Sequence, residues 1–283
     1  MIELFPLLFG LGTAISWALY DYLSSKLAKR IGYQRAFFEN NISAAAILFI
    51  PFLLAGQFVL PTSQNSLAVL LGVSILSVIG STLLYKSFQL GKVSINSPIG
   101  SLYSVVAVLI VAIITKSTMP LFKIALAMAA LLFASVSAFQ TFNFKEYKLE
   151  KGVALALLAA VAFTATSTLP ALVKSEFNEF TYAFSLTAIG AVLLGAMNKE
   201  KLIKWIKAIS MEGCIIGLLY SIGWILYLAG INSANSTFAV ALSGLFPAIV
   251  VLITAARKEE PLATHQKLGL AAMIVTLAAF LLY

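Results

Sequence analysis

Charge is what this sequence has least of. Lys, Arg, Asp and Glu make up 11% of its 283 residues and hydrophobic residues 61%, against about 25% and 45–50% in an ordinary soluble domain. A chain so poor in charge cannot cover a water-facing surface, which excludes a soluble globular protein and leaves the bilayer as its solvent. Cysteine is nearly absent: Cys214 stands alone, so neither an intramolecular disulfide nor a CxxC metal or redox motif can form. His265 is the single histidine, in a short loop, which argues against a zinc site or a Ser-His-Asp triad. No GxxxxGK[ST] phosphate loop occurs, so direct ATP drive is excluded. The competing class, an integral-membrane enzyme acting on lipids or isoprenoids, needs paired Asp/Glu for Mg²⁺ or a histidine cluster. Eleven scattered acids with one histidine do not supply it. No enzymatic activity, no cofactor and no metal are expected.

What is there is long uncharged stretches, such as 40–85 and 213–256, each long enough for two spans of about 20 residues with a turn between. Ten transmembrane helices are expected, at 4–22, 37–55, 67–85, 94–115, 121–142, 152–173, 181–197, 213–230, 237–256 and 268–283. Runs such as "AVLIVAIIT" lack the in/out alternation of barrel strands, so the class is all-α integral membrane. The first span is flanked by "MIE", without Lys or Arg, and is not expected to be a cleaved signal. The longest connections, "SSKLAKRIGYQRA" and "NKEKLIKWIKAISME", hide no soluble domain.

The net charge of +8 follows from topology. Sixteen Lys and Arg fall in the loops after helices 1, 3, 5, 7 and 9; only Lys116, Lys123 and Lys174 fall on the other side. Positive residues in short loops stay cytoplasmic, which puts those five loops inside and both termini outside. Dispersed over five loops, the basic residues form no nucleic-acid patch. The partners expected are the lipid bilayer and a small-molecule solute, with a multi-pass place in the cell membrane and a monomer or homodimer.

The halves of the chain repeat. At an offset of 146, Leu11, Ala14, Leu23, Phe38, Ala45 and Leu48 fall on Leu157, Ala160, Leu169, Phe184, Ala191 and Leu194, with Trp17 on Phe163. At an offset of 143, "GSLYSVVAVLIVAI" lies on "SGLFPAIVVLITAA". Two five-helix repeats, 1–145 and 146–283, follow. Five being odd, the second enters the membrane from the opposite face, the inverted-repeat plan of many secondary transporters.

The stretches "SPIGSLYSVVAVL" and "SGLFPAIVVLITAARKEEPLATHQKLGLAAMIVTLAAFLL" resemble the ten-helix EamA-like branch of the drug/metabolite transporter superfamily. In that family a small-residue helix runs through a proline to an acidic loop, then a Gln and a Gly open the last helix. Pro247, Glu259 or Glu260, Gln266 and Gly269 occupy those places, and "SWALY" is similar to the family's Trp-Gly pair at Trp17, with Ala18 for the glycine. The first repeat departs from the pattern, with Ser104 at the proline position and Lys116 at the acidic one; helix 2 has "ENN" where the family often has Arg. The resemblance implies a secondary transporter of small metabolites, amino acids or related solutes, often an exporter. It also implies cytoplasmic termini, the reverse of the charge count. A translocase for a lipid-linked precursor is a further possibility within the transport class.

Polar residues recur on single helical faces. Helix 4 carries Ser94, Ser97, Ser101 and Ser104 beside Pro98; helix 3 carries Ser74, Ser77, Ser81 and Tyr85; helix 1 carries Thr13, Ser16, Trp17, Tyr20 and Ser24. Helix 8 offers Gly217, Tyr220, Trp224 and Tyr227, and helix 9 Ser236, Ser243 and Pro247. Small residues at this spacing serve close helix packing, whereas amphipathic rings line sites that orient an organic solute. The substrate pathway is expected along Trp17, Tyr20, Asn41, Ser81, Tyr85, Ser97, Ser101, Tyr103, Trp224, Tyr227 and Ser243, with Pro98 and Pro247 as gating or kink positions. Helices 5 and 10, nearly free of polar residues, are expected to stand at the periphery. Asp21 and Glu39 are candidate charge handles; the alternative is an interfacial ion pair, such as Asp21 with Lys86.

Overall fold

The computed structural model describes residues 4–54, 56, 59–114, 120–143, 146–172, 178–231 and 242–282. Among these lie twelve helices: α1 (Leu4–Ile31), α2 (Tyr33–Leu54), α3 (Gln64–Leu90), α4 (Val93–Gly100), α5 (Tyr103–Ile114), α6 (Leu121–Ala138), α7 (Val153–Leu172), α8 (Glu179–Met197), α9 (Lys199–Lys207), α10 (Met211–Ile231), α11 (Phe246–Ala256) and α12 (Thr264–Leu282). A two-stranded antiparallel hairpin, β1 (Phe139–Asn143) and β2 (Glu146–Leu149), joins α6 to α7. Among the described residues three helices are long and apolar enough to cross a membrane: Gln64–Leu90, Glu179–Met197 and Met211–Gly230.

Five expectations are corrected. The loop expected after residue 22 is helical almost throughout, α1 running on to Ile31 and α2 starting at Tyr33. Lys29 and Arg30 in the last turn of α1 complement its dipole, and the break is confined to Gly32 at φ 88°, a left-handed conformation that glycine adopts without strain. The fifth helix stops at Ala138 instead of reaching residue 142, because the chain from Phe139 turns to extended backbone and pairs antiparallel with "EYKL". The connection after Met197 holds α9, where Leu202 and Trp205 recur three apart and Trp205 is buried.

The fourth correction concerns the serine-rich helix, expected unbroken over 94–115. It divides into α4 and α5 at a turn over Ser101 and Leu102. Pro98 lacks the N–H that would bond one turn back. Beyond it the backbone tightens into i−3 bonds, Leu102 N to Ile99 O at 3.2 Å and Ser104 N to Ser101 O at 3.2 Å. The hydroxyls of Ser101 and Ser104 donate to the carbonyls of Pro98 (2.7 Å) and Ser101 (2.9 Å). The second repeat breaks at the equivalent place. A turn over Gly244 and Leu245 precedes α11, with Leu245 N bonding Leu242 O at 3.1 Å. The helix expected over 237–256 is therefore also divided, and its residues 237–241 lie outside those described.

The packing is reciprocal between the halves. α3 packs on α7 as α10 packs on α1; α2 meets α10 as α8 meets α3; α5 lies on α7 as α11 lies on α1. Two pairs, α2 with α8 and α6 with α12, face their own counterparts. This is the arrangement of two repeats related by a pseudo-two-fold axis. α6 and α12 pack chiefly on each other, through Ala127, Ala130, Ala134, Leu270 and Met273. Gly269 sits where an added Cβ would lie 3.0 Å from Phe133 O.

Candidate functional site

The two helix breaks carry matching aromatic contacts. Trp17 on α1 meets Phe246, the first residue of α11, edge to face at 6.0 Å between centroids. Phe163 on α7 meets Tyr103, the first residue of α5, at 5.6 Å. Offsets of 146 and 143 carry Trp17 onto Phe163 and Tyr103 onto Phe246, so these are one contact made twice. Each α1-type aromatic also lies against a glycine of the opposite repeat. A Cβ on Gly223 would stand 2.3 Å from Trp17 Nε1, and one on Gly80 2.9 Å from Phe163 Cε1. Gly80 and Gly223 are themselves 143 apart. Gly223→Ala is therefore expected to destabilise the protein by about 1–3 kcal/mol through overpacking, read as a lower thermal midpoint of the purified protein. Gly72→Ala, with nothing within 4 Å of the new methyl, should leave the midpoint unchanged or higher.

Around this frame the site is chemically lopsided. α10 presents Tyr220, Trp224 and Tyr227 where α3 has Ser77, Ser81 and Leu84. Trp224 stacks on Trp17 (5.8 Å), Tyr227 (5.8 Å), Tyr220 (6.4 Å) and Tyr182 of α8 (6.2 Å). Trp17 also meets Tyr227 at 5.5 Å, and Tyr20 meets Tyr220 at 5.2 Å. Trp17 Nε1 is buried without a hydrogen-bond partner among the described residues. Trp224 Nε1 is buried beside Tyr220 and closes no hydrogen bond of standard geometry.

A second, polar group lies on the other side of Tyr20. Asp21 is buried, and its only hydrogen bond among the described residues is donated by Ser97 Oγ at 2.5 Å, from the first half of the broken helix. Ser24 Oγ and Tyr85 OH share a hydrogen bond of 2.9 Å, and the Tyr20 and Tyr85 rings are 6.3 Å apart. The expected Asp21–Lys86 ion pair is not formed: Asp21 faces inward to α4, whereas Lys86 is exposed and lies over the Tyr33 ring at 5.8 Å. Glu39 is fully buried and fully engaged. It accepts from Arg35 Nε (2.8 Å), Ser210 N (3.0 Å) and Ser210 Oγ (2.5 Å), which fixes the start of α10.

Of the other expected pathway residues, Asn41 and Ser101 are hydrogen-bonded within the fold. Asn41 donates to Phe37 O at 2.8 Å and packs on Gly190, Ser101 bonds its own turn, Ser81 is half-buried on α3, and Ser243 is buried beside the second break. Gly217 is a contact point between α10 and α2, since a Cβ there would stand 2.8 Å from Ala44 N. Pro98 lies inside α4, while Pro247 falls in the first turn of α11, where its missing N–H has no intrahelical acceptor to lose.

The charged residues gather at one end. Lys26 and Tyr22 both bond Glu259 (2.9 Å each), Arg30 pairs with Glu212, and Lys92 lies 3.7 Å from Glu150. The Lys26 hydrogen bond holds the Glu259 carboxyl below its usual range. Glu260 accepts from Val93 N (2.9 Å), Ser94 N (2.9 Å) and Ser94 Oγ (2.6 Å), capping α4. Four of the five loops grouped by the charge count thus meet one another through these bonds, and α9 leads into the fifth contact at Glu212. A groove of about 360 Å³ between α1 and α10, lined by Leu23, Lys26, Arg30, Glu212, Ile215 and Ile216, opens there. Sequence patterns did not single out Phe246, Tyr182 or the cap formed by Glu260. Phe246 was detectable, since the internal repeat sets it on Tyr103.

A family model described as the EamA-like transporter family matches this sequence twice, over residues 4–139 and 150–282. No curated protein matches it. Among solved structures, one described only as the crystal structure of a protein superposes with a TM-score of 0.58 at 15% identity, covering 95% of this chain and 97% of its own. At that identity the likeness concerns the fold alone.

Proposed function

Because the chain belongs to the EamA-like transporter family, and so is a membrane transporter of the drug/metabolite superfamily, we propose that it is a secondary transporter of a small organic metabolite, an amino acid or related solute. It works by alternating access of two inverted five-helix repeats, 1–145 and 146–283, that together make ten spans of the cell membrane. The observation that carries this reading is the pair of indole N–H groups of Trp17 and Trp224, buried at the junction of the repeats without hydrogen bonds of standard geometry among the described residues. A buried donor left unpaired costs about 1–3 kcal/mol. A solute carbonyl or carboxylate would satisfy it, while the surrounding rings take up the solute's apolar body. The substrate class is therefore a compact molecule with an acceptor group and a flat or aliphatic portion.

The two helix breaks give the repeats their joints. Backbone that departs from helical bonding inside a membrane is tolerated where it borders a cavity, and here it falls at the same place in each repeat, next to the aromatic contacts. Rocking one repeat against the other would separate Trp17 from Phe246 or Tyr103 from Phe163, opening one mouth at a time. Asp21 is the charge handle in this scheme. Among the described residues its carboxyl rests on a single hydroxyl and pairs with no cation, unlike Glu39, whose oxygens are held by Arg35 and Ser210.

A metabolomic comparison of cells with and without the protein should identify the solute, and that compound should then show counterflow in liposomes holding the purified chain. Absence of counterflow for every compound that differs would overturn the reading. Orientation follows from the sixteen-to-three charge split. In a Cys214→Ser background, Lys201→Cys should be labelled from the cytoplasm and Thr62→Cys from outside. The opposite pattern would place the termini in the cytoplasm and leave the repeat arrangement intact.

A further inference from the structure

Helix α9 breaks the pseudo-symmetry. Between α2 and α3 of the first repeat, the described residues 56 and 59–63 hold no helix, whereas the second repeat has nine residues, "KEKLIKWIK", folded as α9. Its inner side is fixed to the bundle. Trp205 is buried against Phe38 at 5.5 Å, Leu202 lies against Gly195, and Arg35 Nη2 donates to the carbonyl of Ala208 just beyond its end at 2.5 Å.

The apolar surface does not end where the protein contact ends. At about 100° per residue, Ile206 and Ile203 follow Leu202 around the helix, and they stand 47% and 68% exposed. The remaining arc carries Lys207, Lys204 and Lys201 with Glu200 among them, while Lys199, in the first turn, falls between Ile206 and Ile203. Lys199, Lys201, Lys204 and Lys207 are all exposed, and none forms an ion pair among the described residues. Four lysines face one acid, Glu200. In water, two open isoleucines beside unpaired lysines gain nothing, but at the surface of a bilayer the two halves of such a helix are each matched. Charge complementarity selects among lipids, since unpaired ammonium groups favour a phosphodiester carrying net negative charge over a zwitterion.

We propose that α9 is an in-plane lipid-binding helix: Ile203 and Ile206 enter the acyl boundary, and Lys201, Lys204 and Lys207 hold head groups of anionic phospholipid. Because α9 is joined to α2 through Arg35 and Ala208, and its successor Ser210 to Glu39, lipid held there steadies the contact between the second repeat and α2. The first repeat has no such anchor among the described residues.

The full chain in nanodiscs of phosphatidylcholine, with or without phosphatidylglycerol, supplies the test. The thermal midpoint should rise with phosphatidylglycerol, and Lys201→Gln/Lys204→Gln/Lys207→Gln should lose most of that rise. A second triple variant, Lys86→Gln/Lys258→Gln/Lys267→Gln, removes as much charge elsewhere and should keep it. Equal loss in both would assign the effect to net charge and overturn the proposal, as would an unchanged rise in the first. Spin labels in a Cys214→Ser background give an answer that does not depend on the triple variants folding. A label at Ile203→Cys should relax with dissolved oxygen, and one at Lys204→Cys with a water-soluble nickel chelate. If both respond to nickel alike, α9 stands in water and binds no lipid.

Discussion

Trp224→Ala and Tyr103→Ala each lower solute transport by about tenfold, roughly 1.4 kcal/mol, with no loss of folded protein. Trp224 touches four other rings drawn from three helices and ends in an indole N–H without a good acceptor. Its removal takes away both the surface on which a solute is stacked and the donor that orients it. Tyr103 opens the second half of the broken helix and rests on Phe163 of the other repeat, so its loss falls on the joint as well as on the site. Thr276→Ala is the control. Its hydroxyl is spent on Ala272 O at 2.7 Å, in a helix that packs chiefly on α6, and transport should not change. Equal behaviour of Trp224→Ala and Thr276→Ala would mean that the aromatic group is packing and nothing more.

Asp21→Asn should abolish accumulation driven by a pH gradient while leaving counterflow intact, because exchange requires no net proton movement. The amide still accepts from Ser97, so the fold should survive the change. Ser97→Ala is the companion. It leaves the buried carboxylate without its single donor, and should lower the thermal midpoint more than Asp21→Asn does. An Asp21→Asn protein that accumulates solute normally, or that fails to fold, assigns Asp21 to structure instead.

The repeat was visible in the sequence because aromatic and branched residues must recur where the same contact is built twice, and Trp17 over Phe163 is such a place. The division of the serine-rich helix was half visible. Pro98 and the serines marked trouble for a continuous helix, but where the turn would fall depends on which carbonyls those hydroxyls donate to, and that is settled by packing. The hydroxyl stripes also serve the helices themselves, since Ser74, Ser101 and Ser104 donate to carbonyls three or four residues back, a use that shares the spacing of a solute path. α9 was passed over because nine residues with four lysines look like a solvated connection until Trp205 is seen to be buried. Asp21 looked interfacial because α1 was expected to end at residue 22; a helix that runs on to Ile31 leaves that carboxyl inside the bundle.

The carboxylate over the start of α4 also sets an order of assembly. Glu260 lies 166 and 167 residues downstream of the backbone N–H groups it caps, so during synthesis the serine-rich helix leaves the ribosome long before its cap exists. Until the loop after α11 arrives, Val93 and Ser94 lack that acceptor. The same loop supplies Glu259 to Lys26 and Tyr22, so the first half waits on it at two helices, α1 and α4, at once. Released alone, residues 1–145 would hold their first helices but leave this corner unlatched, and the nascent first half must keep it so until the partner half has been made.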